Sequence, residues 1–390
     1  MKASGKDNEG LMSVTIACVV GARPNFMKMA PVVEALRARE GVRATLVHTG
    51  QHYDDAMSRV FFEELGMPAP DVNLEVGSGT HAAQTARVLE RFDGWLEDAR
   101  PDFVLVAGDV NSTLACALAA AKRTIPVGHV ESGLRSRDRT MPEELNRILT
   151  DHLSDLLFAT SPDAVDNLGG EGIPPEKIHL VGNSMIDSLR RHLPAARLRR
   201  APAAFGVEGK PYAVATLHRP SNVDDPERLT RLVDALRALA ARLPVIFPAH
   251  PRTAARLEAL GELGETEGLT VVEPLGYLDF LGLLDAARLV LTDSGGIQEE
   301  TTALGIPCLT FRDNTERPIT ISEGTNRLIG SDPAAILPYA NEILASEPAA
   351  PRAPALWDGR AGERIAAITA RAARANERVE HGKKRAPAPV

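Results

Sequence analysis

Three carboxylates end or begin segments where a folded chain can put them to use. Asp109 follows the apolar run 103–107, Glu131 follows the run 125–130, and Glu143 opens a helical stretch beginning Pro142-Glu143-Glu144. Brought together across one cleft they repel, which raises at least one pKa and supplies an acid and a base for proton transfer at carbon. Each has a plainer explanation as well. Asp109 can cap the helix after it, Glu131 can be an arginine-paired strand end, and Glu143 can simply favour a helix N-terminus. His218, in Thr216-Leu217-His218-Arg219-Pro220, can hydrogen-bond a phosphate, protonate a leaving oxygen, or serve structure alone. His250, in Pro248-Ala249-His250-Pro251-Arg252, divides evenly between phosphate contact and packing. The histidines lack metal-ligand spacing, so no metal site is expected.

A second chemistry is the holding of an anion. Thr292-Asp293-Ser294-Gly295-Gly296-Ile297-Gln298-Glu299-Glu300 joins a short apolar run, 289–291, to a helical run closed by Gly305. Unpaired N–H groups in a first helical turn point outward, and glycines let a phosphate approach closely. Glu300 lies about one turn into that helix, where its carboxylate can accept from ribose hydroxyls. A tight turn with a fortuitous double glycine reads the same way, so this motif alone does not decide. Arg23 and Lys28 flank the first strand–helix junction, and their charges can neutralise a diphosphate. Lys28 can equally be surface charge at a helix start.

Such residues need a frame that gathers them. Apolar runs at 14–20, 44–48, 103–107, 125–130, 156–160 and 178–181 alternate with helical stretches, and so do runs at 212–217, 245–248, 270–272, 289–292 and 307–311. This alternation implies right-handed crossovers and parallel sheets. Between the two series, 190–202 is a basic, Ala/Pro-rich connection. The expected fold is α/β, two Rossmann-like doubly wound parallel-sheet domains facing a cleft. Its expected divisions are a disordered tail at 1–12, a first domain at 13–190 with the carboxylates, and a second at 191–360. A helix at 361–380 that can return to the first domain and a disordered tail at 381–390 complete the chain. Parallel sheets gather ligands at the carboxyl ends of their strands. Here those ends hold Arg23, Gln51-His52, Asp109, Glu131, His218, His250 and Asp293-Ser294.

The totals agree with a two-domain enzyme. A length of 390 residues exceeds one ordinary core. With 44% apolar and 25% charged residues the composition is globular, and no apolar run reaches membrane-spanning length. A net charge of -8 and an aromatic content of 4% argue against nucleic-acid binding. Cys18, Cys116 and Cys308 sit in apolar surroundings and read as buried thiols of a reducing cytoplasm. The G-x-G-x-x-G fingerprint after a strand and the G-x-x-x-x-G-K-[ST] loop are both absent, which disfavours nicotinamide hydride transfer and P-loop phosphoryl transfer.

Read in order, the motifs form a set. The first half carries Gly21-Ala-Arg-Pro-Asn-Phe-Met-Lys-Met-Ala-Pro31, Thr49-Gly-Gln-His52, Gly108-Asp109, Val130-Glu-Ser-Gly-Leu-Arg135, Pro142-Glu-Glu-Leu-Asn-Arg147 and Gly182-Asn183. The second carries Leu217-His-Arg219, Ser294-Gly-Gly-Ile-Gln-Glu-Glu300 and Thr315-Glu-Arg-Pro318. In this the chain resembles the non-hydrolysing UDP-N-acetylglucosamine 2-epimerases, whose fold is like that of two-domain (GT-B type) glycosyltransferases. The resemblance runs from about residue 14 to 330, and the ordered set carries it where no single motif would.

The resemblance implies reversible inversion at C2 of a UDP-linked 2-acetamido sugar. The C2 proton leaves, UDP departs from C1, and UDP adds back to a glycal-like intermediate as C2 is reprotonated on its other face. It implies no cofactor, UDP-sugar and UDP as partners, a cytoplasmic homodimer, and a role in supplying precursors for surface polysaccharide. By motif, Asp109, Glu131 and Glu143 handle protons, with acid and base left undivided among them. His218 and Lys28 assist at the diphosphate or leaving group. Arg23, Ser294, Gly295 and Gly296 hold phosphates, Glu300 the ribose, and Phe280 with its neighbours the uracil. Arg147 and Arg317 fall in the sugar-phosphate region, and His250 joins the substrate-binding set. Two departures stand out: Asn25 replaces a glutamate common among relatives, and Gln51-His-Tyr-Asp-Asp55 occupies the segment that binds an activating second UDP-sugar in some members. Enzymes acting on UDP-2,3-diacetamido uronic acids share most of these motifs. A hydrolysing 2-epimerase would release the free sugar instead, and a GT-B glycosyltransferase would share the fold while needing an acceptor.

Overall fold

Strand β1 (Val14–Val20) is apolar and buried at nearly every position, as a strand covered on both faces must be. It is central to a parallel sheet. The computed structural model describes residues 13–50, 66, 69–262, 267–347 and 353–385, without the side chains of Arg23 and of 377–385. Gln51 to Asp55 therefore lie outside the described residues. Around β1 stand β2 (Val42–His48), β3 (Val72–Asn73), β4 (Phe103–Ala107), β5 (Val127–Ser132), β6 (Leu156–Ala159) and β7 (Ile178–Leu180), in the order β3-β2-β1-β4-β5-β6-β7. A second parallel sheet holds β8 (Ala213–Thr216), β9 (Val245–Pro248), β10 (Leu269–Val272), β11 (Leu289–Thr292), β12 (Cys308–Thr310) and β13 (Asn326–Leu328), in the order β10-β9-β8-β11-β12-β13. The expected α/β fold with two doubly wound parallel sheets is what the chain adopts.

In each sheet the strand order reverses beside the first strand, at β1/β4 and at β8/β11. Helices on either side of such a switch point diverge, and a crevice opens at the strands' carboxyl ends. Two short strands, β3 and β13, have no counterpart among the expected runs. β5 also begins later than expected and extends to Ser132, so Glu131 lies within the strand instead of after it.

Helix Ser184–Arg199 ties the lobes together. On one side Ser188 Oγ donates to the Met27 carbonyl at 2.5 Å, and on the other Arg197 pairs with Asp285 at 2.7 Å. Leu189 and Ala196 share one apolar core with Met29 and Val33 of the first lobe and Leu278 and Leu281 of the second. The chain then crosses a second time. Trp357, 2% exposed, donates its indole N–H to the Thr160 carbonyl at 3.0 Å and packs with Ile186 and Ile319.

Helix Ala361–Arg385 follows and lies on helix Arg23–Arg37, so closely that a Cβ on Gly362 would meet the Pro31 backbone at 2.8 Å. Its first N–H groups, of Ala361 and Gly362, donate to the Asp187 carboxylate at 3.2 and 2.7 Å. The helix includes 381–385, where the sequence pattern places the start of the tail; the Ala-, Arg- and Glu-rich stretch before it favours continuation. Among the described residues no helix is long and apolar enough to cross a membrane. Cys18, Cys116 and Cys308 are buried free thiols.

Candidate active site

At the end of β4, Gly108 adopts φ +66°, and a Cβ there would lie 3.0 Å from Lys28 Nζ. Glycine thus clears the path of Lys28, which donates to Glu131 Oε1 at 2.6 Å. Glu131 itself has φ +68°, a left-handed conformation that costs a non-glycine residue about 1–3 kcal/mol. The register of β5 against β6 shifts between Val130 and Ser132, so a bulge re-aims this carboxylate. Its Oε2 is buried with no protein partner among the described residues. Asn25, 2% exposed, accepts from Ala22 N–H at 3.0 Å and donates to the Ala107 carbonyl at 2.8 Å. The residue that departs from the family pattern therefore pins the ends of β1 and β4 together.

Asp109 accepts from Arg147, which also pairs with Glu144 in the same helix, Pro142–Leu153. Burial pushes the Asp109 carboxyl up, but Arg147, Lys28 and Arg317 together hold it below the usual carboxylate range. The expectation that repulsion lifts one of the three carboxylates fails for Asp109, because cations surround it. Glu144 accepts the N–H groups of Ser136 and Arg137, each at 2.9 Å, and so fixes the loop before this helix. Glu143 is half-buried, and its charge acts on Arg219 of the other lobe.

In the second lobe, Ser294 precedes helix Gly295–Leu304 and makes no side-chain cap, leaving the first-turn N–H groups for another acceptor. A Cβ on Gly295 would come 2.5 Å from Arg317 Nη1 and 2.6 Å from Glu316 Oε1, and one on Gly296 would touch Met185 Cε at 3.0 Å. These glycines make room for protein groups from both lobes.

Arg317 is the centre of that crowding. Its Nε lies 2.9 Å from Glu299 Oε1, its Nη1 pairs with Glu316, and its Nη2 reaches across to Glu131 Oε1 at 3.6 Å. Burial pushes Glu299 up against the pull of Arg317, and Glu131 adds to the rise. Glu316 shows the opposite balance: burial raises it, yet Arg317 and Arg312 hold it far below the usual range. Glu300 accepts from Tyr277 Oη at 3.2 Å and is pushed up to about 7, mainly by burial and further by Glu299. Glu299 and Glu300, two crevice carboxyls that burial lifts, are thus neighbours on one helix of the second lobe.

The structure gathers Lys28, Asp109, Glu131, Arg147 and Arg317 into one buried array with Ser294, Gly295 and Gly296 beside it. Lys28 is committed to Glu131 within this array. His218 stands at the end of β8, its Nδ1 2.9 Å from Asp293 Oδ1, and its ring centroid 6.1 Å from that of His250. His250 is exposed and caps helix Pro251–Ala259 by accepting the Arg252 N–H at 3.3 Å; burial, His218 and Arg252 lower its pKa. Phe280 is half-buried on helix Tyr277–Asp285, and the Arg23 side chain lies outside the described residues. Sequence reasoning missed Glu299, Glu316, Arg312 and Asn25 as members of the array. A signal for two of them was present, since Glu299 adjoins Glu300 and Glu316 adjoins Arg317 in motifs already singled out.

A sequence model of the UDP-N-acetylglucosamine 2-epimerase family matches residues 34–370. The chain is 44% identical over 339 residues to UDP-N-acetylglucosamine 2-epimerase of Methanococcus maripaludis, covering 85% of this chain and 92% of that one. It is also 44% identical over 320 residues to UDP-2,3-diacetamido-2,3-dideoxy-D-glucuronate 2-epimerase of Pseudomonas aeruginosa, covering 81% and 88%. Among solved structures it is similar to the UDP-GlcNAc 2-epimerase of Methanocaldococcus jannaschii in complex with UDP-GlcNAc and UDP. There the TM-score is 0.83 at 41% identity, over 92% of this chain and 100% of that one. The Neisseria meningitidis enzyme bound to UDP-GlcNAc aligns with TM-score 0.84 at 30% identity, over 92% and 100%.

Proposed function

Because the chain belongs to the UDP-N-acetylglucosamine 2-epimerase family, we propose that it interconverts UDP-N-acetylglucosamine and UDP-N-acetylmannosamine by eliminating UDP and adding it back. One carboxylate of Asp109, Glu131 and Glu143 takes the C2 proton, the C1–O bond to UDP breaks, and a 2-acetamidoglucal remains. UDP then re-forms the C1–O bond while a proton is delivered to the opposite face of C2. The sequence is redox-neutral, returning UDP to the sugar and replacing the C2 hydrogen by one from solvent, so it consumes no electron carrier.

The observation that carries this reading is the reach of Arg317. Its guanidinium touches Glu131 on one side and fills the space beside Gly295 on the other. Proton-handling carboxylates and a diphosphate-holding turn are therefore adjacent, as elimination from C1 and C2 of one sugar requires. Ser294, Gly295, Gly296 and Arg23 hold the diphosphate, Glu300 the ribose, Phe280 the uracil, and Arg147 the sugar side. Lys28 acts through Glu131, His218 at the leaving oxygen, and His250 beside it. The enzyme works in the cytoplasm as a homodimer and supplies precursors for surface polysaccharide.

Turnover in deuterated water tests the reaction. UDP-N-acetylglucosamine should yield the C2 epimer with deuterium at C2; folded enzyme giving neither epimer nor exchange would overturn it. The equal identity to a UDP-2,3-diacetamido uronate epimerase favours a second substrate reading. Comparing kcat/KM for the two UDP-sugars decides between them.

A further inference from the structure

Asp293 follows β11 directly, yet it is wholly buried: the residue is 0% exposed. Burial pushes its carboxyl up, and hydrogen bonds from His218, Asn222 and Arg219 more than reverse the rise. The two oxygens are used differently. Oδ2 takes the Arg219 N–H at 2.9 Å, the His218 N–H at 3.0 Å and Asn222 Nδ2 at 3.0 Å. Oδ1 faces the imidazole, 2.9 Å from His218 Nδ1, with the His218 N–H more distant at 3.2 Å. A carboxylate can only accept, so Nδ1 must carry its hydrogen. The ring's other nitrogen has no protein partner among the described residues, and the side chain is 41% exposed.

We propose that Asp293 is a positioning residue that fixes the tautomer and the direction of His218, leaving Nε2 as the nitrogen offered to the leaving oxygen. In either charge state one N–H is committed to Asp293. The charged ring presents Nε2–H, which passes its proton to the departing diphosphate oxygen as the C1–O bond breaks. The neutral ring presents a bare Nε2, which takes that proton back on re-addition. Asp293 stays ionised throughout and balances the imidazolium. Its next residue is Ser294, so the carboxylate that aims the acid and the turn beside the diphosphate share one peptide bond. The inference rests on the epimerase reading for the identity of the proton acceptor; the tautomer itself does not depend on that reading.

Asp293→Asn separates positioning from mere packing. The carboxamide oxygen will occupy the Oδ2 place, where three donors converge, and turn its NH2 toward His218 Nδ1. That nitrogen must then accept, which moves the ring hydrogen to Nε2. Long-range nitrogen–proton NMR of the imidazoles, at a pH where the ring is neutral and with His218 identified by comparison with His218→Asn, reads this directly. The intact protein should show Nδ1–H and the variant Nε2–H. Turnover of UDP-N-acetylglucosamine should fall in kcat by roughly 10²-fold with KM within about threefold, the loss expected when one acid–base group is misdirected. An Nε2–H tautomer in the intact protein, or an unchanged kcat in a variant whose tautomer has flipped, overturns the proposal. If the variant does not fold, the spectrum of the intact protein still decides. If the intact protein shows Nδ1–H but turns over no UDP-sugar, the epimerase reading falls and the orientation by Asp293 stands.

Discussion

Glu300 and Asp109 are both carboxylates in the same crevice region, and their surroundings drive them apart. Asp109 is held low by three cations. Glu300 has only a tyrosine hydroxyl in support and is pushed up to about 7. A carboxyl raised this way is protonated below about 7 and accepts well from a diol only above it. UDP should therefore bind more weakly as pH falls from about 8 to about 6. Glu300→Gln should bind weakly throughout and retain only the slope due to the phosphate's own titration. Calorimetric titration of both proteins across that range checks the difference; parallel slopes would count against a ribose contact.

The residue types of the array were legible because strand ends in parallel sheets are where such groups are useful. Their pairings were not. Lys28 meets Glu131, and Glu131 meets Arg317, across long stretches of intervening chain, and only the fold brings such partners together. The left-handed backbone at Glu131 was equally hidden, since a non-glycine residue carries no mark of it.

At the scale of elements, the strands that a sequence shows are those with enough apolar length. β1 and β4 are such runs, buried on both faces. β3 has two residues and β13 reads Asn-Arg-Leu, so neither offers a pattern, and both are sheet edges defined by their neighbours. The capping of helix Ala361–Arg385 by Asp187 is another element-level feature without a local signal, because the carboxylate comes from a different helix.

That cap also makes a prediction. Burial raises the Asp187 carboxyl from 3.8 to about 6, against the two N–H groups that favour its charge. The folded state therefore binds this proton more tightly than the unfolded chain does. Stability from this site is lowest above about 6 and grows as pH falls toward about 4, where both states are protonated. Against Asp187→Asn, the intact protein should gain up to about 3 kcal/mol of relative stability over that interval. Urea denaturation at several pH values measures it, and a difference that is flat with pH would refute the assignment.

At the scale of the whole molecule, the two lobes share the apolar core beneath helix Ser184–Arg199, and across the crevice Arg317 reaches from the second lobe to Glu131 of the first at 3.6 Å. A diphosphate placed at Ser294–Gly296 adds negative charge beside that guanidinium and should draw the lobes together. Saturating UDP should thus lower the radius of gyration in small-angle scattering, and an unchanged profile would argue against closure. Arg317→Ala should abolish the change while leaving Glu299, Glu316 and Glu131 buried without their shared cation. Breaking such a cluster costs about 3–5 kcal/mol, readable in the same denaturation experiment.

The chain passes between the lobes twice, once through helix Ser184–Arg199 and once through the segment that carries Trp357 into helix Ala361–Arg385. A body held by one tether can swivel, tilt and twist. Held by two, side by side, it behaves like a door on a pair of pins. Twist would be suppressed and a single swing would remain, so the turn at Ser294–Gly296 and the carboxylates would meet in the same alignment whenever the crevice shut. Loosening the upper pin, at Trp357, would leave every group of the reaction in place and spoil only their aim.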